Sequence, residues 1–337
     1  MVPELRPSDH SEPGIVRRRR GRGFSYADPD GMPVRDAETL ARIKALAIPP
    51  AWTDVWICTD PRGHLQAVGT DAAGRLQYRY HDLWREQQDR AKFDRVLEVA
   101  ERLPEFRKTV DEQLQGRGLT RQRVLAAAAR LLDIGFFRIG GESYDSYGLA
   151  TLRMEHLSFH KGYVVFSYQA KGDIPREVEV ADPGACAVLR SLKRSGPKEG
   201  ELLRYRRDGD WSDVRSEDIN DYLKEIIGYE VTAKDFRTWH ATVLAAVGLA
   251  VSRPAGRAGP TKKKRAVTRV MREVSEYLGN TPTVARASYV DPRVIEAYDQ
   301  DRTIGAALTE LGADADFGQL ATAGPVERAV IDLIRTV

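Results

Sequence analysis

Five residues of this chain could together exchange one phosphodiester bond for another. Tyr289 ends the stretch Gly279-Asn280-Thr281-Pro282-Thr283-Val284-Ala285-Arg286-Ala287-Ser288-Tyr289, a fixed distance after the amide of Asn280 and across a Thr-Pro helix start. Arg138 lies in Phe137-Arg138-Ile139-Gly140, Lys171 in Ala170-Lys171-Gly172, and Arg237 in Lys234-Asp235-Phe236-Arg237-Thr238-Trp239-His240. A phenol can displace an alcohol from phosphorus and hold the strand in a bond of similar energy, so resealing needs no nucleotide. The crowded phosphorus carries extra negative charge on its non-bridging oxygens, which the planar fork of arginine fits better than an ammonium does. The same cations would lower the phenol from its reference value of about 10 and sharpen it as a nucleophile. Lys171 would return a proton to the leaving oxygen, and Asn280, which does not titrate, would position and stabilise charge.

Each residue taken alone has an ordinary explanation. The chain has thirteen tyrosines, and few tyrosines are nucleophiles. Arg138 reads as a helix-end arginine, Lys171 as a turn lysine and Asn280 as a helix cap beside Gly279. Their joint occurrence, in order and each in a specific local context, lifts them above that reading. The chain has no Gly-x-x-x-x-Gly-Lys-Ser/Thr loop and no carboxylate set of the two-metal kind, so neither a nucleotide nor a metal cofactor is expected. Asp28-Pro29-Asp30 and Asp314-Ala315-Asp316 read as turn and cap residues.

Short β-rich runs at 55–59, 64–69 and 75–80, separated by Asp-Pro-Arg-Gly and Asp-Ala-Ala-Gly turns, predict a small sheet ending near residue 81. A polar helical stretch follows over 83–101, with a domain junction near Gln88 to Ala91. Thr120 caps a helix stopping at Gly135, and two runs at 163–169 and 176–180 predict a hairpin with Lys171 at its tip or shoulder. Asp182-Pro183 opens a helix that Gly196 closes, and Ser216 begins another ending near Gly228. Thr232 and Asp235 have capping-box spacing, which puts Lys234 and Arg237 in the first turns of a helix reaching about Ser252. A further helix is expected over 266–278, and Tyr289 at the end of a short one begun by Thr281-Pro282. The fold class is therefore α+β, with a basic arm over 1–23 expected to be flexible, a β-rich domain over 24–90 and a larger, mainly helical domain over 91–337.

With 337 residues, 42% hydrophobic and 30% charged, the chain reads as a globular protein with two cores. No run approaches the ~18 apolar residues of a membrane helix, and no secretion signal is seen. Cys58 and Cys186 read as reduced thiols of a cytoplasmic protein. The net charge of +3 conceals local bias: eight Lys/Arg and no acid over 253–272, and six arginines against three acids over 1–23. Such blocks suit a polyanion, although a solvated charged loop explains a single block as well.

The motifs together resemble those of the type IB DNA topoisomerases, of the small bacterial kind similar to the poxvirus enzymes, over nearly all of 24–310. Leu131 through Gly140 resembles the first arginine motif, with Tyr144 at family spacing. Lys171 matches the hairpin lysine, Lys234 through Thr238 the second arginine motif, and Gly279 through Tyr289 the nucleophile motif. The resemblance implies attack by Tyr289 to give a 3′-phosphotyrosyl link, strand rotation and religation, without metal or ATP. It also implies a C-shaped two-domain clamp on duplex DNA, working as a monomer at the nucleoid. Gly74 through His81 resembles the family's groove-contacting strand; Gln77 could read base edges, while Arg75, Tyr78 and Tyr80 reach phosphates or stack. An ordinary half-buried strand shows the same alternation.

Two departures stand out. Asn280 occupies a position where the family often has histidine, which argues against an essential proton carrier there. Gly172 replaces an acid of the poxvirus pattern. Lys234 stands where related recombinases carry histidine and takes a supporting role, as a DNA contact or second proton donor. A tyrosine recombinase and a basic DNA-binding protein without activity remain as alternatives.

Overall fold

A computed structural model describes residues 4–140, 146–171, 174–197, 199–252, 259–312 and 324–337. Tyr144, the Gly172-Asp173 turn and Asp314-Ala315-Asp316 lie outside these. The chain divides into two compact units, one up to Lys92 and one from Phe93 onward.

The first unit is built on strands β1 (Ile15–Arg20) and β2 (Gly23–Ala27), helix α1 (Ala37–Ala45), and strands β3 (Thr53–Ile57), β4 (Leu65–Thr70) and β5 (Leu76–Tyr80). The strands form one antiparallel sheet in the order β2-β1-β3-β4-β5. Its core gathers Ile15, Ile43, Val55, Ile57 and Ala67. The arginine run, expected to be a flexible arm with order beginning near Phe24, is instead strand β1. The period of two explains this: Ile15 faces the core while Arg18 and Arg20 stay in water. Arg17 stacks its guanidinium 4.2 Å from the Phe24 ring centre and donates to the carbonyls of Pro49 and Trp52 at 3.1 and 2.6 Å. Order extends further back, because Ser8 accepts from the Leu65 amide and donates to its carbonyl, each at 3.0 Å.

Helix α2 (Asp82–Leu114) begins at the end of this sheet and continues through Pro104, well past the expected end near residue 101. Its second half carries Val96, Val99, Leu103, Phe106 and Val110 at helical spacing, and these bury into the second unit.

The second unit is centred on α3 (Arg121–Gly135), capped by Thr120 and buried almost all round, from Val124 through Asp133. Around it lie a three-stranded antiparallel sheet of β6 (Leu157–Phe159), β7 (Val164–Ala170) and β8 (Ile174–Val180), then α4 (Pro183–Ser195). A small hairpin of β9 (Arg204–Arg207) and β10 (Asp210–Asp213) precedes α5 (Ser216–Ile227) and α6 (Ala233–Val251). Helices α7 (Pro260–Leu278), α8 (Pro282–Ser288), α9 (Pro292–Asp299), α10 (Gly305–Gly312) and α11 (Pro325–Arg335) complete it.

Helix α7 starts six residues earlier than the expected Ala266 and takes in Lys262 through Arg265. Pro260 suits the first helical position, lysine and arginine are good helix formers, and Lys263 is anchored by the Asp301 carboxylate at 2.8 Å and the Asp299 carbonyl at 2.7 Å. No described helix is long and apolar enough to cross a membrane.

Candidate active site

The site assembles around the C-terminal end of α7. The last four carbonyls of a helix have no partner within it and form its negative pole. Three arginines from three elements take the carbonyls at this end in sequence. Arg176 of β8 donates to Glu276 O and Tyr277 O at 2.9 and 2.7 Å, Arg237 of α6 to Leu278 O at 2.7 Å, and Arg138 to Gly279 O at 2.9 Å. Gly279 makes the stop possible: its φ of +60° is left-handed, and its turn closes with Asn280 N donating to Ser275 O at 3.0 Å.

Arg138 follows α3 directly. Phe136 ends that helix in the left-handed region, and Phe137 is fully buried against Phe166 and Tyr168. The Leu149 and Ala150 amides then donate to the carbonyls of Arg138 and Ile139 at 2.8 and 2.7 Å, fixing the segment. Arg138 reaches Asn280 Oδ1 at 2.5 Å, which aligns the amide and leaves Nδ2 buried without a partner among the described residues.

Arg237 sits in the first turns of α6, where Asp235 accepts from the Thr232 amide at 2.8 Å and from Arg95 at 2.9 Å. The residue is 3% exposed, its guanidinium donates to the neutral carbonyls of Phe136 and Leu278, and its Nε is buried with no partner among the described residues. Burial pushes its pKa down to about 10, against the pull of Tyr289. A buried cation with a spare donor and no carboxylate bonded to it is costly unless an anion arrives.

Tyr289 caps the end of α8, with Thr281 accepting from Val284 at 3.3 Å to start that helix. Its backbone is held by Thr242, whose hydroxyl lies 3.3 Å from Tyr289 O and accepts from the Asp291 amide at 3.1 Å. The half-buried ring has Arg237 Cζ 5.4 Å and Lys234 Nζ 5.8 Å from its centre. Burial alone would raise the phenol; Arg237, then Arg138 and Lys234, outweigh it and hold the pKa below the ordinary value. Lys171 is exposed in the turn after β7, and Lys234 is exposed on α6.

The structure therefore brings together Arg138, Arg237, Asn280, Tyr289 and Lys234. In the first unit, Tyr78 and Tyr80 are exposed on one face of β5 with rings stacked 6.2 Å apart. Arg75 and Gln77 are tied to Asp71 instead, each at 3.0 Å, so Gln77 does not share the tyrosine face.

Sequence reasoning missed two features. One is Arg176, which reads as an ordinary strand residue. The other is a buried ion network beneath α6: Arg107 pairs with Asp133 at 2.8 Å and with Glu327 at 2.6 Å, and Trp239 donates to Glu327 at 2.8 Å. His240 Nε2 lies 3.4 Å from Asp133 without hydrogen-bond geometry. These partners are up to 220 residues apart, and no local pattern links them.

Residues 81–311 match the catalytic core of eukaryotic DNA topoisomerase I, and residues 23–71 the N-terminal domain of bacterial DNA topoisomerase IB. The DNA topoisomerase 1B of Acanthamoeba polyphaga mimivirus is 28% identical over 301 residues, covering 87% of this chain and 89% of the viral one. The fold and these matches define a DNA-acting isomerase. The chain belongs to the type IB DNA topoisomerase family.

Proposed function

We propose that the enzyme relaxes supercoiled duplex DNA by opening and resealing one strand through a 3′-phosphotyrosyl bond to Tyr289. The Tyr289 phenol loses its proton to solvent, and its oxygen attacks the phosphorus. The bond from phosphorus to the 5′ oxygen breaks, and Lys171 gives that oxygen a proton, leaving a 5′-hydroxyl. Arg138, Arg237 and Asn280 hold the non-bridging oxygens as charge builds, and Lys234 assists as a nearby cation. The free strand rotates; the 5′-hydroxyl then returns its proton to Lys171 and attacks the phosphorus, and the bond from phosphorus to Tyr289 breaks to release the phenolate. The phosphodiester energy is kept throughout, so neither ATP nor a metal ion is required. Tyr78 and Tyr80 hold the duplex, helped by Arg75 and Gln77 once they release Asp71; Tyr144 is assigned to DNA by motif position alone. The enzyme acts as a monomer in the cytoplasm, at the nucleoid.

The observation that carries this reading is the pair of buried donors with no partner among the described residues, Arg237 Nε and Asn280 Nδ2, in the cluster that includes the Tyr289 ring. Both suit the oxygens of an incoming phosphate. The test is incubation of supercoiled plasmid with the enzyme in chelator and without nucleotide, followed by denaturing trap of any protein–DNA bond. Relaxed plasmid and a covalent adduct are expected from the native enzyme. Tyr289→Phe should give neither while still binding DNA, and normal turnover by this variant would remove Tyr289 as nucleophile. Strand exchange between two sites in place of relaxation would favour a recombinase.

A further inference from the structure

Arg176 is the one member of the arginine trio at the α7 end that the proposed chemistry leaves without a task. In the β7–β8 ladder it stands opposite Tyr168, followed by the pairs Gln169 with Pro175 and Ala170 with Ile174. Lys171 comes immediately after the last pair, three residues beyond Tyr168 and about 10 Å further along the strand. From β8, Arg176 reaches across to Glu276 O and Tyr277 O in the last turn of α7. That turn leads through Gly279 and Asn280 into α8 and Tyr289. A side chain at Gly279 would press on Arg176, its Cβ falling 3.3 Å from Arg176 Cδ. Tyr168 in turn stacks its ring 6.2 Å from that of Phe137, the neighbour of Arg138.

We propose that Arg176 is a positioning residue for proton delivery: its fork ties the Lys171 hairpin to the helix end that carries the nucleophile, and so sets where Lys171 stands relative to Tyr289. This rests on the reading of Lys171 as the acid. An arginine suits the task because one rigid fork spans two successive carbonyls, which a lysine ammonium does only in part. The two hydrogen bonds are solvent-exposed, so water can replace them at the helix end when the side chain is removed. The loss then falls on alignment more than on folding. A displacement of roughly 1 Å of a reacting group can cost about 100-fold in rate.

The test is single-turnover cleavage by the full chain of two duplex oligonucleotides, one with the natural 5′ oxygen at the cleavage site and one with sulfur there, which leaves without a proton. Arg176→Ala should be slower by roughly 10- to 100-fold on oxygen and within about threefold of the native enzyme on sulfur. Arg176→Lys should fall between, and Arg176→Ala combined with Lys171→Ala should be no slower on oxygen than Lys171→Ala alone. Equal loss on both substrates, or no loss on oxygen, would overturn the inference; should the alanine variant not fold, Arg176→Lys carries the same comparison. Lys171→Ala run alongside separates the two ideas. If its defect vanishes on sulfur while that of Arg176→Ala persists, only the role of Arg176 fails. If its own defect persists on sulfur, the acid assignment fails first.

Discussion

The Arg237 guanidinium carbon lies 5.4 Å from the centre of the Tyr289 ring, although 52 residues separate them in the sequence. The two side chains solve one problem together. The arginine is buried and bonded to neutral carbonyls, and the phenol beside it is the group whose ionised form would compensate it. Helix α6 supplies the arginine and α8 the tyrosine, with the end of α7 between them in the chain. A phosphate entering here would take over the compensation and release the phenol to act.

The phenol should show this in its pH dependence. Because cations hold Tyr289 below the ordinary value near 10, the rate of cleavage should rise with pH and level off below that value. Lys234→Gln removes one of these cations, so the limb should move up in pH and the rate near neutrality should fall. Single-turnover cleavage between about pH 6 and 10 measures it; a limb left in place would show that Lys234 does not act on the phenol.

Asn280→Ala should slow cleavage by about 100- to 1000-fold, in the range seen when one charge-stabilising donor is lost. The shape of the pH profile should be unchanged, since an amide carries no proton on or off. Loss of a pH limb in this variant would contradict a purely positional role.

The network under α6 should govern stability rather than the chemical step. Burial would raise the Asp133 pKa, but His240 and Arg107 hold it well below the usual carboxylate range. Its stabilising contribution is therefore fully present above about pH 4 and lost as pH falls through the lower native value. Asp133→Asn should cost about 3 kcal/mol at neutral pH, with the gap to the native protein narrowing in acid. Denaturant unfolding at several pH values tests this; a gap independent of pH would argue against the ion pair.

Gly279→Ala places a side chain at a φ of +60° and against Arg176. It should destabilise by about 1–2 kcal/mol from the left-handed backbone, and slow cleavage by more than that loss of folded protein explains. Thermal melts set beside single-turnover rates separate the two effects.

For the first unit, Tyr78→Ala together with Tyr80→Ala should weaken non-covalent duplex binding while leaving the cleavage rate of saturated complex near that of the native enzyme. An unchanged affinity would place DNA elsewhere than on this face of β5.

Much of this was legible in the residues because it is local. The caps Thr120, Asp182, Thr232 and Thr281 start their helices where their spacing predicts, and Gly228 and Gly279 stop theirs in left-handed turns. Tyr289 falls at the end of α8 for the same reason. Where local charge dominated the reading, it misled: the arginines of β1 and the lysines at the start of α7 are mostly exposed cations on ordered elements, with Arg17 and Lys263 half-buried, because a strand or helix needs only one face buried. Motif order singled out the residues proposed as reactive, since each sits in a short run of characteristic neighbours. Tertiary packing alone decided that Arg138, Arg176 and Arg237 would meet on consecutive carbonyls of one helix end, and that Arg107 would join Asp133 to Glu327. Those meetings depend on how α3, α6, α7 and β8 pack, and packing is set by the shape of a whole core rather than by any window of sequence.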